Sequence, residues 1–185
     1  MITALDENTA LVLIDLQNGI MKQPLAHAVD DILLNVNHLI TAFRKKALPV
    51  VVINVNPVGA AWTTSRKDSG ATPRPSGNEW YQLSDQLKLS DGDVYITKHT
   101  WNAFFETTLH EELQKKSITG IVLAGISTSF GVEGTARAAS ELGYNISFAT
   151  DAMTDGKEEG HLRSIQLIFP RMGETGTTED IIKAL

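Results

Sequence analysis

Short apolar runs alternate with amphipathic segments along this chain. The apolar runs are rich in valine, isoleucine and leucine, which is typical of strands buried on both faces of a parallel sheet. They predict five strands, at 10–16, 49–55, 93–98, 120–124 and 144–150. A short edge strand is predicted after Met172, so that the sheet would hold about five to six strands.

The segments between these runs predict helices. The clearest is 29–43, where apolar residues recur on one helical stripe. A second helix is predicted to open at Thr108, because its spacing to Glu111 is that of a capping box. Gly143 is expected to end a third, since glycine adopts the left-handed cap conformation without steric cost. Helices are predicted over 132–142 and 160–169 and at the carboxyl terminus.

The alternation of strand and helix predicts a three-layer α/β fold, a doubly wound, Rossmann-like parallel sheet in one domain spanning 1–185. In such a sheet the ligand binds at the carboxyl ends of the strands, where the strand order reverses. With the order 3-2-1-4-5, that point lies between the first and fourth strands. Asp15 ends the first, and the turn from Gly125 to Gly131 follows the fourth. The sequence therefore places a site between these two features.

Charge and composition narrow the class of partner. The net charge of −6 argues against a nucleic-acid or anionic-membrane surface. No apolar run approaches the roughly 20 residues of a membrane helix, and no signal peptide opens the chain. The chain has no cysteine, so it has neither a disulfide framework nor a thiol nucleophile. These features predict a cytoplasmic protein without a nucleic-acid or membrane partner.

A long segment without period, 57–78, separates the second and third predicted strands and is rich in proline and glycine. Loops of this length in a compact domain are usually functional or disordered. Trp62, Arg66, Lys67 and Arg74 give it the composition of a basic, aromatic lid over an anionic ligand. A surface excursion with solvated charges is the alternative.

Several motifs together cover nearly the whole chain. They are the opening Ile14-Asp-Leu-Gln17, Lys98 with Phe104, Thr107 and Leu109 after it, Gly125-x-x-Thr128-x-x-Gly131-Val132-x-x-Thr135-Ala136, and the terminal Gly173-Glu174 with Thr177-Thr178-Glu179. The pattern resembles the isochorismatase-like hydrolases, the superfamily that includes nicotinamidases. This resemblance implies their fold, a small-molecule substrate and a homo-oligomer, dimer or larger. No cofactor is expected, and no metal, because the histidine and aspartate pattern of the nicotinamidase metal site is missing.

In that superfamily an aspartate, a lysine and a cysteine form a catalytic triad. The resemblance assigns these positions to Asp15, Lys98 and Gly131, so that glycine stands where most members have the nucleophile. It also implies a cis peptide between Ile126 and Ser127. The candidate substrate contacts are Gln17, Trp62, Trp101, Ser127, Thr128 and Ser129. The last three could instead cap the following helix, while His161 is interpreted as a surface residue.

The isochorismatase branch of the superfamily also lacks the cysteine and cleaves a vinyl ether by protonating its alkene carbon. The resemblance therefore implies Asp15 as general acid and Lys98 as its electrostatic partner. Burial would raise the pKa of Asp15 and the lysine would lower it, and the sequence leaves the outcome open. The sequence does not place the cationic pair that the two carboxylates of isochorismate would need, and Arg66 and Arg74 are candidates for it. A catalytically silent ligand binder and a serine-dependent amidase using Ser129 are the alternatives.

Overall fold

A six-stranded parallel sheet forms the centre of the computed structural model, which describes residues 2–69 and 77–185. The strand order is β3-β2-β1-β4-β5-β6, and every neighbouring pair is parallel. The strands are β1 (Thr9–Ile14), β2 (Val50–Val55), β3 (Val94–Lys98), β4 (Gly120–Ile126), β5 (Asn145–Thr154) and β6 (Glu174–Gly176). The predicted order is confirmed, and its reversal lies between β1 and β4.

Helices cover both faces of the sheet. They are α1 (Asn18–Met21), α2 (Val29–Lys45), α3 (Leu109–Lys115), α4 (Glu133–Glu141), α5 (Glu158–Arg163) and α6 (Thr178–Ala184). Phe43 of α2 and Ile181 of α6 are buried in one apolar cluster, whereas Leu109 of α3 and Ala136 of α4 are buried in another. The three-layer prediction is therefore confirmed. None of the helices in the described ranges is long and apolar enough to cross a membrane.

The structure corrects several predicted element ends. β5 continues to Thr154 because a register shift between Leu123 and Gly125 lets β4 pair again with the later part of that strand. The helix predicted over 160–169 instead changes to a π-turn after Arg163. Thr108 makes no side-chain cap to α3, since its φ of −89° and ψ of 10° lie outside the extended region that N-cap residues adopt. The capping box occurs at α6, between Thr177 and Asp180.

Two glycines have backbone conformations that other residues rarely adopt. Gly143 has a φ of +84° just after α4, as predicted. Gly125 has a φ of +122°, and a Cβ built there would lie 2.1 Å from the carbonyl oxygen of Ile14. Only glycine permits this backbone approach. It brings the end of β4 against the end of β1, immediately before the predicted site.

Candidate active site

Asp15 follows β1 directly and lies almost wholly buried at the carboxyl edge of the sheet. Its backbone is left-handed, with a φ of 52°, a conformation that aspartate adopts more readily than most residues. The oxygen Oδ2 lies 3.0 Å from Nζ of Lys98. The other carboxylate oxygen, Oδ1, is buried and has no hydrogen-bond partner among the described residues. One oxygen is thus held in an ion pair, and the other is left without a partner in the described part of the chain.

Lys98 ends β3 and is fully buried. Its Nζ donates a hydrogen bond to the carbonyl oxygen of Trp101 at 2.7 Å in addition to pairing with Asp15. A buried ammonium group is costly unless it is paired and hydrogen-bonded, and both conditions are met here. The two residues that the sequence placed at separate strand ends therefore form one pair.

Burial raises the pKa of Asp15 from an ordinary value of 3.8 to about 6. The positive charge of Lys98 and its hydrogen bond act in the opposite direction but are outweighed. Removing a carboxylate from water disfavours its charged form, and here this effect exceeds the attraction of the cation. Of the two opposing effects on the pKa of Asp15 that the sequence indicates, burial is the larger.

Gly131 lies against the same pair. A Cβ built there would be 3.2 Å from Oδ2 of Asp15, 3.2 Å from Nζ of Lys98 and 2.9 Å from Cγ2 of Ile14. Any side chain at this position would therefore enter the space beside the ion pair. Glycine itself supplies no nucleophile at this position.

The turn after β4 is held by side chains from other parts of the chain, and its own hydroxyl groups do not cap a helix. Its peptide bond between Ile126 and Ser127 is cis, as the resemblance implied. None of the hydroxyls at 127–129 caps a helix, because a π-turn over Thr128–Val132 runs directly into α4. The amide and hydroxyl of Ser129 both donate to Oδ2 of Asp155, each at 2.7 Å.

His161 is the second anchor of this turn. Its Nδ1 lies 2.9 Å from the hydroxyl oxygen of Thr128, and its ring centroid is 4.5 Å from that of His27. The interpretation of His161 as a surface residue is wrong, since only 5% of it is exposed. Burial, followed by the neighbouring His27, lowers the pKa of His161. The buried neutral imidazole therefore holds the turn instead of facing solvent.

A cavity of about 380 Å³ opens over Asp15. Among the predicted site residues, those that line it are Asp15, Trp62, Trp101, Ser127 and Gly131. Lys98 lies beneath the lining, because it is fully buried. Trp80 and Phe130 also line the cavity but were not singled out in the sequence. Phe130 could have been found from its place inside the turn motif, whereas Trp80 has no local signal.

Three predicted substrate contacts do not line this cavity, namely Gln17, Thr128 and Ser129. The side chain of Gln17 is fully buried and exchanges hydrogen bonds with the backbone of Val55, at 2.7 and 3.1 Å. It ties the end of β1 to the end of β2. Arg66 is exposed and also does not line the cavity, while Arg74 lies outside the described residues.

Asp155 offers a test of how firmly the turn is held. Replacing it by alanine is expected to lower the free energy of unfolding by about 1–3 kcal/mol, because the Ser129 amide and hydroxyl lose their acceptor. Ser129→Ala should cost less, about 0.5–1.5 kcal/mol, since the amide keeps its bond to Asp155. Urea titration of both variants measures the difference. Equal losses would contradict the anchoring role of Asp155.

The described residues of the site include a carboxyl group, that of Asp15, and a buried cation, Lys98. A carboxylic acid with a pKa of about 6 is suited to proton transfer near neutral pH. The described residues contain no group of three or more histidine, aspartate or glutamate side chains that could hold a metal ion. Asp15 and Lys98 thus place a carboxyl group and an ammonium group side by side at this cavity.

Comparison with known proteins gives consistent results. A model of the isochorismatase domain matches residues 9–180. The chain is 38% identical to the uncharacterised isochorismatase family protein YecD of Escherichia coli O157:H7, with 97% of each chain covered. It is 30% identical to a probable inactive nicotinamidase of Arabidopsis thaliana, with 85% of this chain and 86% of that protein covered.

A solved structure matches the fold throughout. It is an isochorismatase family protein from Burkholderia thailandensis, which is 36% identical in sequence. The TM-score is 0.94, with 100% of this chain and 99% of that chain covered. The similarity extends over the whole sheet and both helical layers, including the carboxyl edge on which the cavity lies.

Proposed function

This chain belongs to the isochorismatase family, and we propose that it is a hydrolase that cleaves a small vinyl ether by proton transfer from Asp15. The observation that carries this proposal is the state of Asp15. Its Oδ1 is buried without a hydrogen-bond partner among the described residues, and its pKa is raised to about 6. A carboxyl group so placed retains a proton more readily than an exposed aspartate does.

The proposed reaction begins with transfer of the Asp15 proton to the terminal alkene carbon of the vinyl ether. The ether oxygen donates electron density, so that the adjacent carbon becomes an oxocarbenium ion. Water adds to that carbon and gives up a proton to the Asp15 carboxylate. The resulting hemiketal collapses: its hydroxyl proton is transferred to the departing ether oxygen as the carbon–oxygen bond breaks. For an enolpyruvyl ether the products are pyruvate and an alcohol. Acid and water complete this cycle without a covalent enzyme intermediate.

Lys98 would stabilise the Asp15 carboxylate that forms when the proton leaves, since the two groups are 3.0 Å apart. Gly131 would leave the space beside them open to substrate or water. Within the predicted lid, Trp62 and Lys67 line the cavity, which supports a role of that segment in ligand binding. Residues 70–76 of the lid lie outside the described residues.

The first experiment is an assay for pyruvate release from a panel of enolpyruvyl ethers that includes isochorismate, with the Asp15→Asn protein measured in parallel. Release by the wild-type protein and its loss in the variant are the expected results. Equal release by both proteins would contradict the role of Asp15. Wild-type protein that releases no pyruvate from any vinyl ether tested would refute the proposed reaction.

The reaction should be faster at lower pH. The active form carries a proton on Asp15, whose pKa is about 6. Above that pH, kcat/KM is expected to fall about tenfold per pH unit, because the protonated fraction falls by that factor. Initial rates between pH 5 and 8, with pyruvate determined after quenching at one fixed pH, measure the profile. A rate that rises towards pH 8 would indicate a base instead of an acid.

A catalytically silent binder and a serine-dependent amidase are the two alternative functions, and each predicts a different experimental result. A catalytically silent binder is suggested by the missing nucleophile and by the Arabidopsis relative whose name describes it as probably inactive. It would bind ligand in the cavity without releasing product. The serine-dependent amidase would form an acyl adduct on Ser129, which mass spectrometry detects after incubation with amides and esters. Against it, Ser129 donates its hydroxyl to Asp155 and does not line the cavity.

A further inference from the structure

The cavity over Asp15 has an aromatic wall. All 3 tryptophans of the chain line it, together with Phe130. The rings of Trp62 and Trp101 are 5.5 Å apart and tilted, and those of Trp101 and Phe130 are 5.1 Å apart, edge to face. Such a wall presents ring faces and edges to a bound molecule. It favours a flat, unsaturated ligand, which can stack on these rings.

Two of these tryptophans are fixed by close contacts. The indole nitrogen of Trp62 donates to the carbonyl oxygen of His99 at 2.7 Å. Trp80 packs directly on Gly19, where a Cβ would come within 2.0 Å of its ring. A rigid aromatic surface loses little conformational freedom when a ligand binds. The wall is therefore largely formed before the ligand arrives.

Lys67 brings a positive charge to the same cavity. Its Nζ lies 5.4 Å from the ring centroid of Trp62 and donates to the backbone oxygen of that residue. No carboxylate among the described residues pairs with it. Because an ammonium group has three donors, Lys67 retains donors for a ligand. The group it would bind is an anion.

The other cations do not add to this charge. Lys98 is already paired with Asp15 and is fully buried, and Arg66 does not line the cavity. Within the described part of the chain, Lys67 is therefore the one cation that faces the cavity without a paired carboxylate. One such group matches one carboxylate, whereas the second charge of a dicarboxylate would have no unpaired cation to meet among the described residues.

We propose that the substrate is a small, flat, unsaturated monocarboxylate whose carboxylate is bound by Lys67 and whose conjugated body packs against Trp62, Trp80 and Trp101. This inference rests on the proposed function in taking the cavity over Asp15 as the substrate site. It makes 2-phenoxyacrylate, a vinyl ether with one carboxylate that yields pyruvate and phenol, a better candidate than a dicarboxylate such as isochorismate.

Binding of unreactive probes tests the inference by tryptophan fluorescence, since all 3 tryptophans line the cavity. The probes are benzoate, its neutral analogue benzamide, and the dianion isophthalate. Benzoate is expected to bind at least about tenfold more tightly than benzamide, because a charged hydrogen bond is gained. Isophthalate should bind no more tightly than benzoate.

Variants distinguish a direct contact between Lys67 and the carboxylate from the effect of the protein's overall charge. Lys67→Met should bind benzoate and benzamide equally, while Lys67→Arg should keep a preference for benzoate. Lys46→Met, which removes one exposed positive charge just after α2, should behave as the wild-type protein does. Equal affinity for benzoate and benzamide in the wild-type protein, or an undiminished preference in Lys67→Met, would overturn the inference. So would isophthalate that binds more than tenfold more tightly than benzoate.

The outcomes for this inference and for the proposed function are separate. Benzoate carries no vinyl ether, so its binding does not depend on turnover. If benzoate binds through Lys67 but no vinyl ether yields pyruvate, the hydrolase proposal fails and the ligand class stands. If pyruvate is released but Lys67→Met leaves the preference for benzoate intact, the hydrolase proposal stands and the ligand class is wrong.

Discussion

Asp15→Asn should lower kcat/KM for release of pyruvate by about 10²–10⁴-fold, the range that a positioned general acid contributes. The asparagine amide has nearly the same shape as the carboxyl group but has no acidic proton to transfer. The measurement is the initial rate of pyruvate formation from isochorismate or 2-phenoxyacrylate, whichever the wild-type protein hydrolyses. The residual rate should also lose its dependence on pH around 6, where Asp15 titrates.

Asp85→Asn is the matched control for this experiment, because it makes the same chemical change at an exposed aspartate that does not line the cavity. Its rate should equal that of the wild-type protein. Affinity for benzoate in Asp15→Asn shows whether the cavity is still formed. A variant that binds benzoate normally and still releases pyruvate at the wild-type rate would exclude Asp15 as the acid.

Lys98→Met should cost about 3–5 kcal/mol in the free energy of unfolding near pH 8, because it leaves the buried Asp15 carboxylate without its cation. Methionine has a similar length and is tolerated in apolar surroundings. Urea titration at several values of pH measures the loss. Lys115→Met, which breaks a surface pair with Glu112 instead, should leave the urea midpoint unchanged.

The pH dependence of that loss follows from the direction of the Asp15 shift. Lys98 lowers the pKa of Asp15, so its removal should raise that pKa above the wild-type value of about 6. A carboxyl group whose folded pKa exceeds its unfolded value binds more protons when folded, and stability then falls as pH rises through that window. The variant should therefore be closer to the wild-type protein at pH 5 than at pH 8. A loss that does not change with pH would contradict the pairing.

The features that the sequence predicted correctly depend on local patterns. The valine-rich run of β2 and the apolar run of β1 read as buried strands because both faces of each are covered. With the strand order 3-2-1-4-5, the rule for doubly wound sheets places Asp15 and Gly131 together at the carboxyl edge of the sheet. The structure brings these two residues together beneath one cavity.

The features that the sequence did not reveal depend on contacts between distant segments. His161 is buried by Thr128 and His27, and nothing in its own mixed, charged stretch indicates this. Trp80 reaches the cavity because Gly19 has no side chain, which is a contact across 61 positions that no periodicity encodes. The pKa of Asp15 depends on two opposing effects, burial and the charge of Lys98. Their relative size depends on how deeply the carboxyl group is buried, which only the folded structure shows.

Gly131 has a consequence for oxidative chemistry. A catalytic thiolate is converted by peroxide first to a sulfenic acid and then to irreversibly oxidised forms, and it is alkylated by electrophiles. Gly131 has no side chain and so offers no such target. Neither the carboxyl group of Asp15 nor the ammonium group of Lys98 is oxidised in this way. The proposed acid catalysis would therefore not be lost through oxidation of a thiol when peroxide is present.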